Sequence, residues 1–144
     1  MRLKNVQLIH TAFLASPVLL LGIVFMFHTQ AVPVESASLG QLNLLANFAA
    51  FLLFAAELGG TVAFRTLRGT RSPMRAQITR MALLEAPALL AVATLFLYTV
   101  QVGPLAAAKP VKVSAAVLLG YVILWVLHFP KAKRFPGIEF EDVS

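Results

Sequence analysis

Along the chain, apolar side chains gather in four long runs, at about 8–28, 42–64, 78–100 and 111–129. Each run is close to the ~20 residues that a helix needs to cross a bilayer core of roughly 30 Å. Helix-breaking residues sit in the gaps: Pro33 and Gly40, Gly69 and Pro73, Gly103, Pro104 and Pro110, then Pro130 and Pro136. That is where punctuation between helices belongs. The pattern predicts an all-α polytopic membrane protein, with four transmembrane helices in an antiparallel bundle over 1–130. A short tail, 131–144 ("KAKRFPGIEFEDVS"), changes from basic to acidic. It is expected to be a mobile peripheral segment, with docking to a partner as the alternative. No internal repeat or low-complexity segment interrupts this reading.

Polar positions inside the runs carry information, because a polar group facing lipid is costly. In the second run Asn43, Asn47, Ala50, Phe54, Glu57 and Thr61 recur at steps of three and four. In the fourth, Ser114, Leu118, Tyr121, Trp125 and His128 do the same. Such steps form one stripe on a helix, so both stripes are expected to face neighbouring helices. The third run contains Glu85, two residues before Pro87. Proline deprives the carbonyl of Leu83 of its usual donor, so a kink beside the carboxyl group is expected. Glu57 and Glu85 each lie fourteen positions from Arg71. An antiparallel hairpin therefore brings both to a similar depth, ~10–15 Å from its closed end at 1.5 Å per residue. Arg80 stands about 140° around the helix from Glu85. It is expected to extend to the headgroups rather than neutralise the carboxylate.

Composition supports the membrane reading. The chain has 144 residues, 59% hydrophobic and 12% charged, and mean hydropathy is +0.83. A soluble domain carries roughly 25% charged residues. There is no cysteine, which excludes disulfides and thiolate metal sites. A net charge of +6 would suggest nucleic acid in a soluble protein. Here the basic residues flank apolar runs, so no nucleic-acid partner is expected. Arg2, Lys4, Arg65, Arg68, Arg71, Arg75, Arg80, Lys131, Lys133 and Arg134 fall on one side, and only Lys109 and Lys112 on the other. The positive-inside rule then places both termini in the cytoplasm. The first run has a basic start, but it exceeds the roughly 7–15 apolar residues of a cleaved signal and reads as a retained span. The Arg65, Arg68, Arg71, Arg75 and Arg80 group sets topology and attracts anionic lipid headgroups.

The chain has no phosphate-binding glycine loop and no nucleophile–base pair. No enzyme activity and no cofactor are expected. His10 and His128 fall at the same end of the bundle, but no spacing within one helix supports a haem or metal site. The candidate chemistry is an intramembrane carboxyl able to hold a proton or cation, Glu85 with Glu57 assisting. Asn43, Asn47, Thr61, His10 and His128 are the supporting polar groups.

The stretch "ALLEAPALLAVATLFLY" resembles the carboxylate-bearing helix of rotary ATP synthase c subunits. That resemblance implies ion binding at Glu85 and covers about twenty residues. The chain departs from that family in having four runs instead of two and no glycine-rich first helix. The core "RMALLEAPAL" and tail "FPKAKRFPGIEFEDVS" resemble small bacterial four-helix membrane proteins with an R-x-A-L-L-E-G/A core. This broader resemblance implies the four-helix architecture and a bacterial inner membrane, and no particular activity. Together these features suggest a non-enzymatic component that packs with itself or with a larger membrane complex, in contact with the lipid bilayer. A proton- or cation-handling subunit built on Glu85 is the alternative.

Overall fold

The computed structural model describes residues 1–34, 38–69 and 72–143. They form α1 (Leu3–Gln30), α2 (Gly40–Arg68), α3 (Pro73–Gln101) and α4 (Lys109–Leu127), followed by a 3-10 turn at Ala132–Arg134. All four helices are long and apolar enough to cross a membrane. The first three extend past the apolar runs at both ends. Hydropathy marks only the hydrocarbon layer, whereas the helix continues while its backbone finds partners. The 28 residues of α1 span ~42 Å at 1.5 Å per residue, about the full bilayer including headgroups. Pro73 opens α3 at its first turn, where proline's missing N–H costs nothing.

The bundle is organised around α3. Half of its apolar window is buried, against 17% for α1 and α2 and 22% for α4. It packs on all three other helices, and α2 also packs on α4. The buried positions of α3 include Ala76, Leu84, Ala88, Ala91 and Leu95. Small side chains at helix–helix contacts let backbones approach closely. Helix α2 answers with Leu42, Ala46, Ala49, Ala56 and Gly60. A Cβ added at Gly60 would lie 3.6 Å from the Arg80 Cα. Helix α3 continues without interruption through Pro87, which is buried.

This seam corrects the face expected for α2. Asn47 and Phe54 are exposed, and Asn43, Glu57 and Thr61 are only partly buried. The face packed most closely, against α3, lies one residue ahead, about 100° around the helix, while Glu57 of the stripe does meet a neighbour, His128 at the end of α4. Close packing of Ala and Gly chose the face, and the polar stripe was left on its flank. The stripe on α4 does turn inward: Ser114 and Tyr121 are buried, and Leu118, Trp125 and His128 are half-buried.

At the end opposite the termini, the two connections lock together. The Val34 N–H donates to the Val102 carbonyl at 2.8 Å, and the Leu105 N–H donates to His28 Nδ1 at 2.8 Å. Gly103 has φ +132°, and a Cβ there would lie 2.8 Å from the Pro33 Cα.

At the other end the tail is folded against the bundle instead of hanging free. Phe135 and Phe140 are buried with Leu3, Val6, Phe64 and Ala76. Asp142 accepts hydrogen bonds from the Leu3 N–H at 2.6 Å and the Lys4 N–H at 3.0 Å. It thus caps α1, whose own N-cap residue Arg2 makes no side-chain cap. A carboxylate at that position also opposes the helix dipole. The terminal ammonium of Met1 donates to Glu141 at 2.9 Å. That ammonium holds the Glu141 carboxyl below its ordinary pKa, and the Lys4 and Leu3 N–H groups do the same for Asp142.

Two outcomes are expected. Gly103→Ala destabilises the fold by about 2 kcal/mol or more, because it combines a left-handed φ with a backbone clash; denaturant unfolding in detergent checks this. The second concerns pH. Both carboxyls are depressed in the folded state, so their contribution is present above the unfolded pKa and is lost as pH falls through the folded values. Acidification below the ordinary carboxylate range should therefore release the tail. Limited proteolysis across pH would show it, and Asp142→Asn should loosen the tail at neutral pH.

Candidate functional site

Among the buried polar side chains, His10, Gln77 and Arg80 lie toward the tail end of the bundle. His10 of α1 is fully buried, and it forms a reciprocal pair with Trp125 of α4. Its Nε2 lies 2.8 Å from the Trp125 carbonyl, while Trp125 Nε1 donates to the His10 carbonyl at 3.0 Å. The two rings stack with centroids 5.0 Å apart. Facing a carbonyl, Nε2 must carry the proton, which leaves Nδ1 as an acceptor. Gln77 of α3 fills that role: its Nε2 donates to His10 Nδ1 at 2.6 Å and to the His128 carbonyl at 3.2 Å. Both ring nitrogens of His10 are therefore held by protein groups, and neither is free for a metal.

The chain of bonds continues from His128. Its Nε2 donates to the carboxylate of Glu57 on α2, 2.9 Å from each oxygen. Thr61, one turn along α2, donates to Glu57 at 3.2 Å. Arg80 Nη2 approaches Thr61 at 3.5 Å, and the Arg80 guanidinium lies 4.0 Å from the centre of the Phe64 ring. Residues from α1, α2 and α3 and the C-cap of α4 thus join in one network. Near it, Tyr121 donates to the Phe13 carbonyl at 2.7 Å and Gln7 to the Pro130 carbonyl at 3.1 Å. Both bonds tie α1 to α4 or the segment following it.

Arg80 departs from its expected placement. Instead of reaching outward to the headgroups, it is buried, 5% exposed. The reason is the tail: Phe135 packs edge-on against Phe64, on whose ring Arg80 rests. Glu57 and Glu85 are not brought together. Glu57 faces α4 and is bonded to His128. Glu85 lies in an open hollow of about 250 Å³ with Ile9, Ala12 and Phe13. No side-chain hydrogen bond reaches Glu85 among the described residues, and none joins it to the carbonyls near Pro87. Asn43 keeps a buried Oδ1 without a partner, and Asn47 is exposed. Arg65 and Arg75 are exposed and Arg68 is half-buried. Arg71 lies outside the described residues.

Gln77 was missed from the sequence. The third apolar run was drawn from 78, so Gln77 read as a connection. The available signal was its spacing, three and seven positions ahead of Arg80 and Leu84, which puts all three on one helical face.

Two further hollows flank the network. An arginine-lined cleft of about 420 Å³ opens beside Arg80 and His128. An apolar groove of about 470 Å³ runs between α2 and α4. No protein-family model, curated protein or solved structure matches the chain. The functional reading rests on this geometry.

Gln77→Leu leaves His10 Nδ1 and the His128 carbonyl without donors. It should destabilise the bundle by about 2 kcal/mol, from the cost of unsatisfied buried groups. Chemical unfolding in detergent micelles is the measurement, and unchanged stability would refute the assigned role.

Proposed function

We propose that the chain is a non-enzymatic, multi-pass membrane protein, a structural or accessory component that assembles laterally through the face formed by α1 and α3. The observation that supports this is the open position of Glu85. A carboxyl group among apolar side chains is costly unless a polar partner meets it. Glu57 has found its partners within the chain, whereas Glu85 has no side-chain hydrogen bond among the described residues. Beside it Ala82 and Ala86 are exposed, and small residues at that spacing let a second helix approach. The partner is a second copy of this chain or a helix of a larger membrane complex that presents a hydrogen-bond donor at that depth.

The charge distribution supports an orientation. Both termini and the arginine-rich connection lie at one end, and Lys109 and Lys112 at the other. The positive-inside rule then assigns the basic end to the cytoplasm of a bacterial inner membrane. A carrier role for Glu85 draws little from this arrangement, because its intended helper is bonded to His128.

The experiment compares Glu85→Gln with Glu85→Leu. Glutamine keeps hydrogen bonding and should preserve assembly. Leucine should weaken it roughly tenfold, the worth of one interhelical hydrogen bond. Self-association in mild detergent and copurifying membrane proteins are the readouts. Equal assembly by both variants would remove the proposal. Loss of proton flux in reconstituted vesicles with Glu85→Gln would favour the carrier instead.

A further inference from the structure

Arg65 and Arg68 reach the basic cleft from the last turns of α2, Arg80 from α3 and Arg134 from the 3-10 turn, with Thr61 and His128 beside them. Arg80 is its most sheltered group. It is 5% exposed, and its Nε has no hydrogen-bond partner among the described residues. Its guanidinium carbon lies 4.0 Å from the centre of the Phe64 ring, and its Nη2 donates to the Thr61 hydroxyl at 3.5 Å. The nearby carboxylate, Glu57, is already engaged by His128 and Thr61. Four guanidinium groups therefore line one hollow that holds no carboxylate among its described lining residues, although Arg134 also donates to the Leu127 carbonyl. Like charges so placed repel, and a phosphate would relieve them through planar, charge-assisted hydrogen bonds.

The apolar groove lies next to this cleft, between α2 and α4. Leu53, Phe54, Ala116, Gly120 and Leu124 line it. Glu57 borders the groove and His128 borders the cleft, and the two side chains meet at 2.9 Å. From Glu57 to Thr61, and from Leu124 to His128, is one helical turn, about 5–6 Å. A cationic cleft near the bundle end and an apolar groove nearer its middle are thus neighbours, with the Glu57–His128 pair between them.

We propose that the cleft and groove together bind one anionic, phosphate-bearing membrane lipid. The phosphate sits among Arg65, Arg68, Arg80 and Arg134, and one acyl chain lies between α2 and α4. A soluble phosphate shares the headgroup chemistry, but would leave the groove empty. The site does not depend on lateral assembly: its lining residues are none of those around Glu85, although Arg80 and Glu85 both belong to α3.

Delipidated protein in mild detergent tests this by native mass spectrometry and thermal unfolding. The probes are dioleoyl phosphatidylglycerol, dioleoyl phosphatidylcholine and inorganic phosphate. Phosphatidylglycerol should bind roughly tenfold tighter than phosphatidylcholine, the scale of a charge-assisted arginine–phosphate contact. Arg65→Gln combined with Arg68→Gln should abolish that preference; Arg65 is exposed and Arg68 half-exposed, so the fold is spared. Ala116→Phe, at an exposed position, should fill the groove and weaken lipid binding while leaving the effect of phosphate unchanged. Equal binding of the two lipids, or a preference that survives the double arginine change, overturns the proposal. Protection by inorganic phosphate equal to that by phosphatidylglycerol, with Ala116→Phe without effect, overturns the lipid in favour of a soluble anion.

Discussion

The constraint on which this structure depends is the need to satisfy polar groups where water is absent. Between helices in a membrane, burying apolar surface gains little, because lipid tails are as apolar as leucine. Close packing and hydrogen bonds must hold the bundle. The bonds run from His10 on α1 through Gln77 on α3 to His128, then to Glu57 and Thr61 on α2. Each bond crosses to a different helix or fixes the side chain that makes the next crossing. A network of this kind has one satisfied arrangement, since moving any helix orphans a donor or acceptor. It fixes the orientation of helices that apolar packing would leave free to rotate.

The remainder of the fold follows from placing such a network at one end only. Below it the bundle relies on small residues, with Ala56 and Ala49 on α2 packed with Ala88 and Ala91 on α3, while Gly60 faces Arg80 at the level of the network. Above it the tail closes the base with Phe135 and Phe140, and its Asp142 takes the capping position that Arg2 leaves open. The tail also covers Phe64, and so helps explain why Arg80 points inward. An arginine that would extend to headgroups from a bare helix lies here against an aromatic ring, close to the carboxylate network. At the far end Gly103 lets the two connections touch, completing a bundle braced at both ends.

The number of helices, their all-α class and the placement of both termini at one end were legible in the sequence. Those features follow from run length and from an even number of crossings. The face of α2 was not legible. The stripe of Asn43, Asn47 and Glu57 looked like an interface because polar residues avoid lipid, but the alanine and glycine positions one residue ahead allow closer approach. Hydropathy cannot register that difference, since alanine counts as weakly apolar on either face. Gln77 was hidden for a related reason: it falls outside the apolar run although it lies inside the helix. The tail's packing was obscured by its charge. Its two phenylalanines sit among lysines, glutamates and a proline, and only the surface offered by Leu3, Val6 and Phe64 gives them a place to bury.

Two carboxylates that looked alike in the sequence have acquired different circumstances. Glu57 is bonded to a histidine and a threonine and stands beside arginine, so its charge belongs to the architecture. Glu85 lies in an apolar hollow beside alanines, and no side-chain hydrogen bond reaches it among the described residues. The two groups lie on different helix pairs, Glu85 between α1 and α3 and Glu57 between α2 and α4. A helix docked beside Glu85 would leave the arginine cleft and its groove open to lipid. Lateral assembly and occupation of the basic cleft are therefore compatible in one molecule. The central position of α3 links them, because it carries Glu85 toward one face and Arg80 toward the other.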